Sequence, residues 1–430
     1  MMSRRLMSKL VRTVDDRRRT RMVSQLVSRP DSSSGRLRLQ VAASLHWSGV
    51  MLSGATLDGI APVRVNLILP ELREAAMFAG IDTALRVAGA LAISTRLPLR
   101  VISIGNDLAP GSYAALLAEV RRRSGVGGDL DLELVGRSAL ADLAVNKGDI
   151  WVTTHWTTAN AVDRAIELAR VIDRSRVFYL IQDYEPGFMP WSTEFAVARG
   201  TYHAGFHRII NSIPLAQYLE SVEGLAIDYD CVFRPEVELP AEMPSLKAKS
   251  QRLQVFFYGR PSKPRNLFGL GVAVLQEVAR EVEDRGYKVD FVSAGEFHPT
   301  IRLTVDGALR SLGRLSWADY FRTIARSDVV LSLQHSPHPS HPPLDAVVRG
   351  CYVVTNEFGG VRESLSPLIA AREPRAGALA EAIVNALDRA MAEGRPAPDT
   401  GIVAKLGVPL RDAVSSALER LGEPLRGVDE

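Results

Sequence analysis

The chain has 430 residues, 46% apolar and 23% charged. That is the balance of a folded protein of two to three domains, not of a disordered or fibrous chain. Its 52 Lys and Arg against 49 Asp and Glu leave +3, which hides an asymmetry: residues 1–36 carry ten basic and three acidic groups, +7, so the rest carries −4. An acidic body excludes a general nucleic-acid binder. The two cysteines, Cys231 and Cys351, exclude a disulfide framework and fit a reducing cytosol. No run approaches the roughly 18 apolar residues of a membrane span.

The basic arm, 1–36, opens with Arg4-Arg5, but the charged stretch from Val11 to Arg21 that follows lacks the apolar segment of an export signal. Leu6, Leu10, Val14, Met22 and Leu26 recur at near-helical spacing between arginines. Three readings stand: a solvated arm ending in the Ser-rich linker at 30–35, a basic amphipathic helix in peripheral contact with an anionic membrane, or a local nucleic-acid contact.

The body alternates strands with helices. Apolar runs at 63–69, 99–104, 130–135, 150–154, 176–181 and 208–211 predict short strands, and periodic segments near 81–95, 112–124, 158–172 and 213–222 predict helices. Nearly continuous apolar strands separated by helices predict a parallel sheet covered on both faces. The Pro- and Glu-rich stretch 234–252 reads as a linker. The alternation then restarts. Strands are predicted at 254–258, 288–293, 328–333 and 351–355. Helices are predicted from Leu267 to Val282, at 317–325, from about Leu344, and around Leu379–Leu387. The expected organisation is a basic arm 1–36, a Rossmann-like acceptor-side domain 37–240, a nucleotide-sugar-binding Rossmann-like domain 250–395 and a helical tail 396–430. The fold class is α/β, two doubly wound domains facing across a cleft, with functional residues just after the strands.

The first such segment is Phe257-Tyr258-Gly259-Arg260-Pro261-Ser262-Lys263-Pro264-Arg265. Three cations on one strand–helix turn suit a diphosphate: guanidinium forks match phosphate oxygens, Gly259 permits close approach, and a helix N-terminus adds partial positive charge. The second is His335-Ser336-Pro337-His338-Pro339-Ser340-His341-Pro342-Pro343-Leu344-Asp345. Ser340 or the helix start offers backbone N–H groups, and Asp345 in the first helical turn could grip ribose hydroxyls. Three histidines at steps of three raise a metal site, but with no acidic or Cys partner nearby the expectation is none. Asn356-Glu357-Phe358-Gly359-Gly360 is a third strand-end turn. In the first half, Gly80 opens the first long helix and could present N–H groups to a phosphate or sugar, while His155, Asp183 and Glu185 end adjacent strands, where they could orient or deprotonate an acceptor hydroxyl. Trp156 or Trp191 could serve as a sugar platform, or simply as core or cleft wall.

Taken together these residues resemble retaining glycosyltransferases of the GT-B fold. Gly259-Arg260 followed by Arg265 is similar to that class's Gly-Arg turn with a second cation five residues on, and Leu344-Asp345-Ala346 to its Leu-Glu-Ala helix start. The first acid of its Glu-x7-Glu pair is replaced by Pro337. Gln182-Asp183-Tyr184-Glu185-Pro186-Gly187-Phe188, Phe257-Tyr258-Gly259-Arg260-Pro261 and Ser336-Pro337-His338-Pro339-Ser340 resemble the WsaF-like rhamnosyltransferase family over about residues 60–390. The resemblance implies a dTDP-β-L-rhamnose donor, no metal or other cofactor, and a saccharide or lipid-linked saccharide acceptor in cell-surface polysaccharide synthesis at the cytoplasmic side of the membrane. It implies catalytic roles for His155, Asp183, Glu185 and Arg260. It implies donor contacts from Gly80, Gly259, Arg260, Lys263, Arg265, Gly313 (its segment facing the base), His338, Ser340, Leu344 and Asp345. Rival expectations are a GDP- or UDP-sugar donor, a sugar-nucleotide epimerase or hydrolase on the same frame, and a non-enzymatic membrane scaffold.

Overall fold

The computed structural model describes residues 52–74, 77, 80–240 and 252–422. The basic arm, Ala79 and most of the expected linker lie outside these. The described residues form two compact units, one running to Ile210 and resuming at Pro409, the other spanning Asn211–Val408.

The first unit is built on strands β2 (Val65–Leu69), β3 (Leu99–Ser103), β4 (Leu132–Val135), β6 (Ile150–Thr153), β7 (Val177–Ile181) and β8 (His207–Asn211). A small pair outside the sheet, β1 (Thr56–Leu57) and β5 (Ala144–Val145), is also parallel. The sheet runs β4-β3-β2-β6-β7-β8, and its pairings are parallel; β9 (Val232–Phe233) falls in the second unit. Strand segments such as Val-Asn-Leu-Ile-Leu and Val-Phe-Tyr-Leu-Ile are buried at every position, as expected where helices cover both faces. The helices are α1 (Gly80–Thr95), α2 (Tyr113–Ser124), α3 (Trp156–Ala169) and α4 (Thr193–Thr201). The order reverses between β2 and β6, a topological switch point of the kind where open α/β sheets bind ligands.

The second unit opens with α5 (Ile213–Glu223) and repeats the plan. Its sheet is ordered β12 (Ile301–Arg302), β13 (Ala308–Ser311), β11 (Lys288–Gly295), β10 (Arg252–Gly259), β14 (Val329–Leu331), β15 (Tyr352–Asn356), β16 (Ile369–Arg372). All pairings are parallel except the edge hairpin β12–β13. The helices are α6 (Phe268–Asp284), α7 (Trp317–Arg326), α8 (His341–Val347) and α9 (Ala376–Glu393). Here the order reverses between β10 and β14. The last helix, α10 (Leu410–Arg420), packs on α1 of the first unit, a return that its sequence does not announce.

Candidate functional site

At the carboxyl end of β10, Gly259, Arg260, Lys263 and Arg265 share one turn into α6, with Lys263 exposed and both arginines partly exposed. Gly259 admits packing rather than a ligand: a Cβ there would stand 3.0 Å from the Phe268 ring. The closer approach is at Gly295, which lies opposite Gly259 in register. Gly295 has φ +129, and a Cβ on it would meet Gly259 O at 2.7 Å and Arg260 Cγ at 3.0 Å, so the stem of Arg260 lies across a position only glycine fills without strain. Gly313 joins this group, its carbonyl accepting from Gly295 N at 3.0 Å.

The loop after β14 meets the same turn, His335 N donating to Arg265 O at 2.7 Å. His338 is buried, and its Nδ1 accepts from Ser340 N at 3.1 Å. Burial, then the charges of His341, Arg362 and Arg265, push its imidazole down to about 3, so it is neutral at physiological pH. Ser340 holds φ +68, a costly conformation for a side chain, and caps α8, which starts at His341, two residues before Pro343. Leu344 and Asp345 are both buried on this helix. Leu344 belongs to the hydrophobic core, where its side chain supports the loop. Asp345 is 3% exposed and accepts from the Tyr320 hydroxyl at 3.0 Å. Burial raises its carboxyl above the usual range, and as placed it braces α8 against α7. His341 is exposed while His338 is buried, and among the described residues no group of three His, Cys, Asp or Glu is arranged to hold a metal ion.

In the first unit the structure brings His155 and Glu185 together, Nε2 to Oε1, at 3.7 Å. His155 caps α3: its Nδ1 accepts from Thr157 N at 3.3 Å. The network thereby assigns the proton to Nε2. Burial pushes its imidazole down to about 4, although a third of the side chain remains exposed. Glu185 accepts from Trp156 N at 2.6 Å, the free N–H at the start of α3. Tyr202 links the two acids, its hydroxyl donating to Asp183 O and accepting from Glu185 N, both at 3.1 Å. Asp183 Oδ1 accepts from Tyr184 N. Gly80 lies beside this strand end, its carbonyl accepting from Gln182 Nε2 at 2.9 Å. Trp156 is buried, whereas Trp191 is 91% exposed and stacked on Phe195 at 5.3 Å.

Sequence reasoning misses three features. Glu296 follows β11 and bonds to the cationic turn through Ser262. Phe297, 78% exposed, lies beside Gly313. Arg362 is buried and its guanidinium donates to the carbonyls of Gln334 (2.8 Å), Asn356 (2.5 Å) and Ser336, fixing the loop before α8. Only Glu296 carries a signal in the sequence, an acid at the end of the second strand of a Rossmann-like unit.

Two doubly wound α/β units in series, the second with a cationic turn at its switch point, define the GT-B class. Residues 64–213 match the family described as WsaF, N-terminal domain, and residues 253–384 that described as WsaF, C-terminal domain. The chain belongs to this WsaF family of GT-B glycosyltransferases. The O-antigen biosynthesis protein RfbC of Myxococcus xanthus is 32% identical over 209 residues, 49% of this chain but only 16% of RfbC. Among solved structures, ligand-free OtsA is similar at TM-score 0.50 and 10% identity, over 85% of this chain and all of OtsA. Anabaena Alr3699/HepE in complex with UDP gives TM-score 0.49 at 13% identity, over 84% of this chain and 96% of that one. At such identity the likeness to OtsA is one of fold.

Proposed function

We propose that the protein transfers a hexose, L-rhamnose from dTDP-β-L-rhamnose, onto a saccharide or lipid-linked saccharide acceptor in surface-polysaccharide assembly. Family membership and the similarity to an O-antigen biosynthesis protein support this reading. The observation that carries it is the turn after β10, where Arg260, Lys263 and Arg265 stand at a switch point before α6. In the reaction the bond from the anomeric carbon to the diphosphate oxygen breaks, a bond to the acceptor oxygen forms, and the acceptor hydroxyl passes its proton to the departing diphosphate oxygen. The cations neutralise charge gathering on the leaving diphosphate, a contribution of about 2–4 kcal/mol per well-placed donor, and in this reading no metal ion is required. The Leu309–Gly313 segment would face the base at Leu312 and Gly313, with the exposed Phe297 beside Gly313. In the first unit His155, with its proton on Nε2, orients the acceptor as a hydrogen-bond donor. Its low pKa makes it a poor general base.

The test is a thermal-shift series with dTDP, UDP and GDP on the wild type and on Arg260→Ala, followed by product analysis. The reading expects stabilisation by dTDP that the variant loses, and a glycoside as product. A response to UDP or GDP alone would replace the donor and keep the class. An unchanged response in Arg260→Ala would remove the diphosphate role, and a free or isomerised sugar as product would remove the transferase assignment.

A further inference from the structure

The cationic turn already holds an anion of the protein's own. Glu296 is the first residue after β11, and its backbone N–H donates to Gly259 O at 3.0 Å, continuing the β10–β11 register one step past the strands. That step sets its carboxylate beside the turn. Oε2 accepts from Ser262 N at 2.9 Å, Oε1 accepts from Ser262 Oγ at 2.7 Å, and Oε1 stands 3.6 Å from Arg260 Nε. Neither partner is deeply buried, Arg260 being 31% and Glu296 28% exposed by side chain. A backbone N–H, a hydroxyl and a guanidinium converging on one carboxylate are the donors a phosphate oxygen would use.

We propose that Glu296 is an internal stand-in for the donor's diphosphate, a positioning residue that keeps Arg260 and Ser262 ordered while the site is empty and must yield when a diphosphate arrives. This rests on the reading of Arg260 as the diphosphate ligand. Burial works against ionisation of Glu296, but the Ser262 N–H and hydroxyl and the charges of Arg260 and Lys263 outweigh it and hold the carboxyl below its usual range, so the negative charge is present at neutral pH. Arg260 also faces the Tyr258 hydroxyl, a neutral group that does not compete for it. The consequence is kinetic as well as thermodynamic: a carboxylate next to the diphosphate weakens its binding, and the nucleoside diphosphate left after transfer departs faster.

The test measures binding of inorganic pyrophosphate and of dTDP by calorimetry to the wild type, Glu296→Gln, Glu296→Ala, Glu296→Asp and Arg260→Ala. Removing one unit charge some 6 Å from the ligand, at an effective dielectric of about 40, predicts binding about tenfold tighter for both ligands in the Gln and Ala variants. The Asp variant should lie near the wild type. The same Gln variant should show a lower KM for the donor together with a lower kcat, the split expected of slowed product release and not of a damaged fold. Unchanged or weaker binding in both neutral variants, with Arg260→Ala still impaired, would overturn the inference and leave the diphosphate site standing. A gain for dTDP but not for pyrophosphate would also overturn it, since Glu296 would then act on the ribose or base. Unchanged binding in Arg260→Ala would overturn both.

Discussion

The two strand ends, alike in topology, treat their polar groups in opposite ways. In the first unit the groups close on one another. Glu185 caps α3 and faces His155, His155 is held through Nδ1 by Thr157, and Tyr202 ties the backbone of Asp183 to that of Glu185. In the second unit the corresponding turn ends in exposed or partly exposed cations, with Glu296 set against Arg260 and Ser262. The difference teaches where each unit spends its order. The first fixes a small hydrogen-bonding constellation in advance, as suits one hydroxyl to be oriented. The second fixes backbone, at Gly295 under the Arg260 stem and through the carbonyl bonds of Arg362 in the loop before α8, and presents its cations partly exposed, as suits a multiply charged ligand.

Arg362 is where that contrast breaks most readily. Its guanidinium is buried and holds the carbonyls of Gln334 and Asn356. Arg362→Met keeps the bulk and strands those acceptors, so it should cost about 3–5 kcal/mol, read by urea unfolding of the whole chain. A loss under about 1 kcal/mol would mean the loop before α8 does not depend on it. On the first-unit side, His155→Ala should lower transfer about 100-fold, the scale of one lost transition-state donor, while the missing cap costs about 1 kcal/mol of stability. If transfer survives within a few-fold, the closed constellation of the first unit is architecture and not an acceptor site.

The strand ends were legible from the sequence because buried parallel strands read as apolar runs and the turns after them carry the chemistry. His155, Glu185, Arg260 and Arg265 all fall there. What escapes has physical reasons. The β11 ladder runs on to Gly295, past the apolar run that ends at Ser293, so the acid at its true end, Glu296, falls beyond the expected strand-end turn. α8 starts at His341, before Pro342 and Pro343, so Asp345 falls beyond the first turn, where a start at Pro343 would have placed it, and is buried. α4 has a Ser192 cap but a weak apolar stripe. The bonds of Arg362 to Gln334 and Ser336 span more than twenty positions, a closure no local pattern encodes.

His338 sharpens the comparison through pH. Its pKa falls from 6.5 to about 3 on folding, so the unfolded chain binds the proton first. Its contribution is complete above about 6.5 and is lost as pH falls toward 3. Wild type should lose about 1–2 kcal/mol more than His338→Gln between pH 7 and pH 4.5, measured by urea unfolding at both values. His155 shifts in the same direction, but its partly exposed ring is screened by solvent and adds less. Parallel acid limbs for wild type and variant would show that the loop admits water around His338.

The smallest stability effect belongs to Trp191. Its ring stacks on Phe195 at 5.3 Å with an interplanar angle of 7° and is otherwise open, a few residues beyond the Glu185–Phe188 turn. An exposed surface residue contributes within about 0.5 kcal/mol to stability, so Trp191→Ala should leave Tm nearly unchanged. If the rim of the first unit stacks a saccharide ring, as an aromatic face can, the acceptor KM should rise about three- to tenfold at nearly constant kcat, read from initial rates at fixed donor. An unchanged acceptor KM would confine the first unit's part in recognition to the hydrogen-bonding groups at β6 and β7.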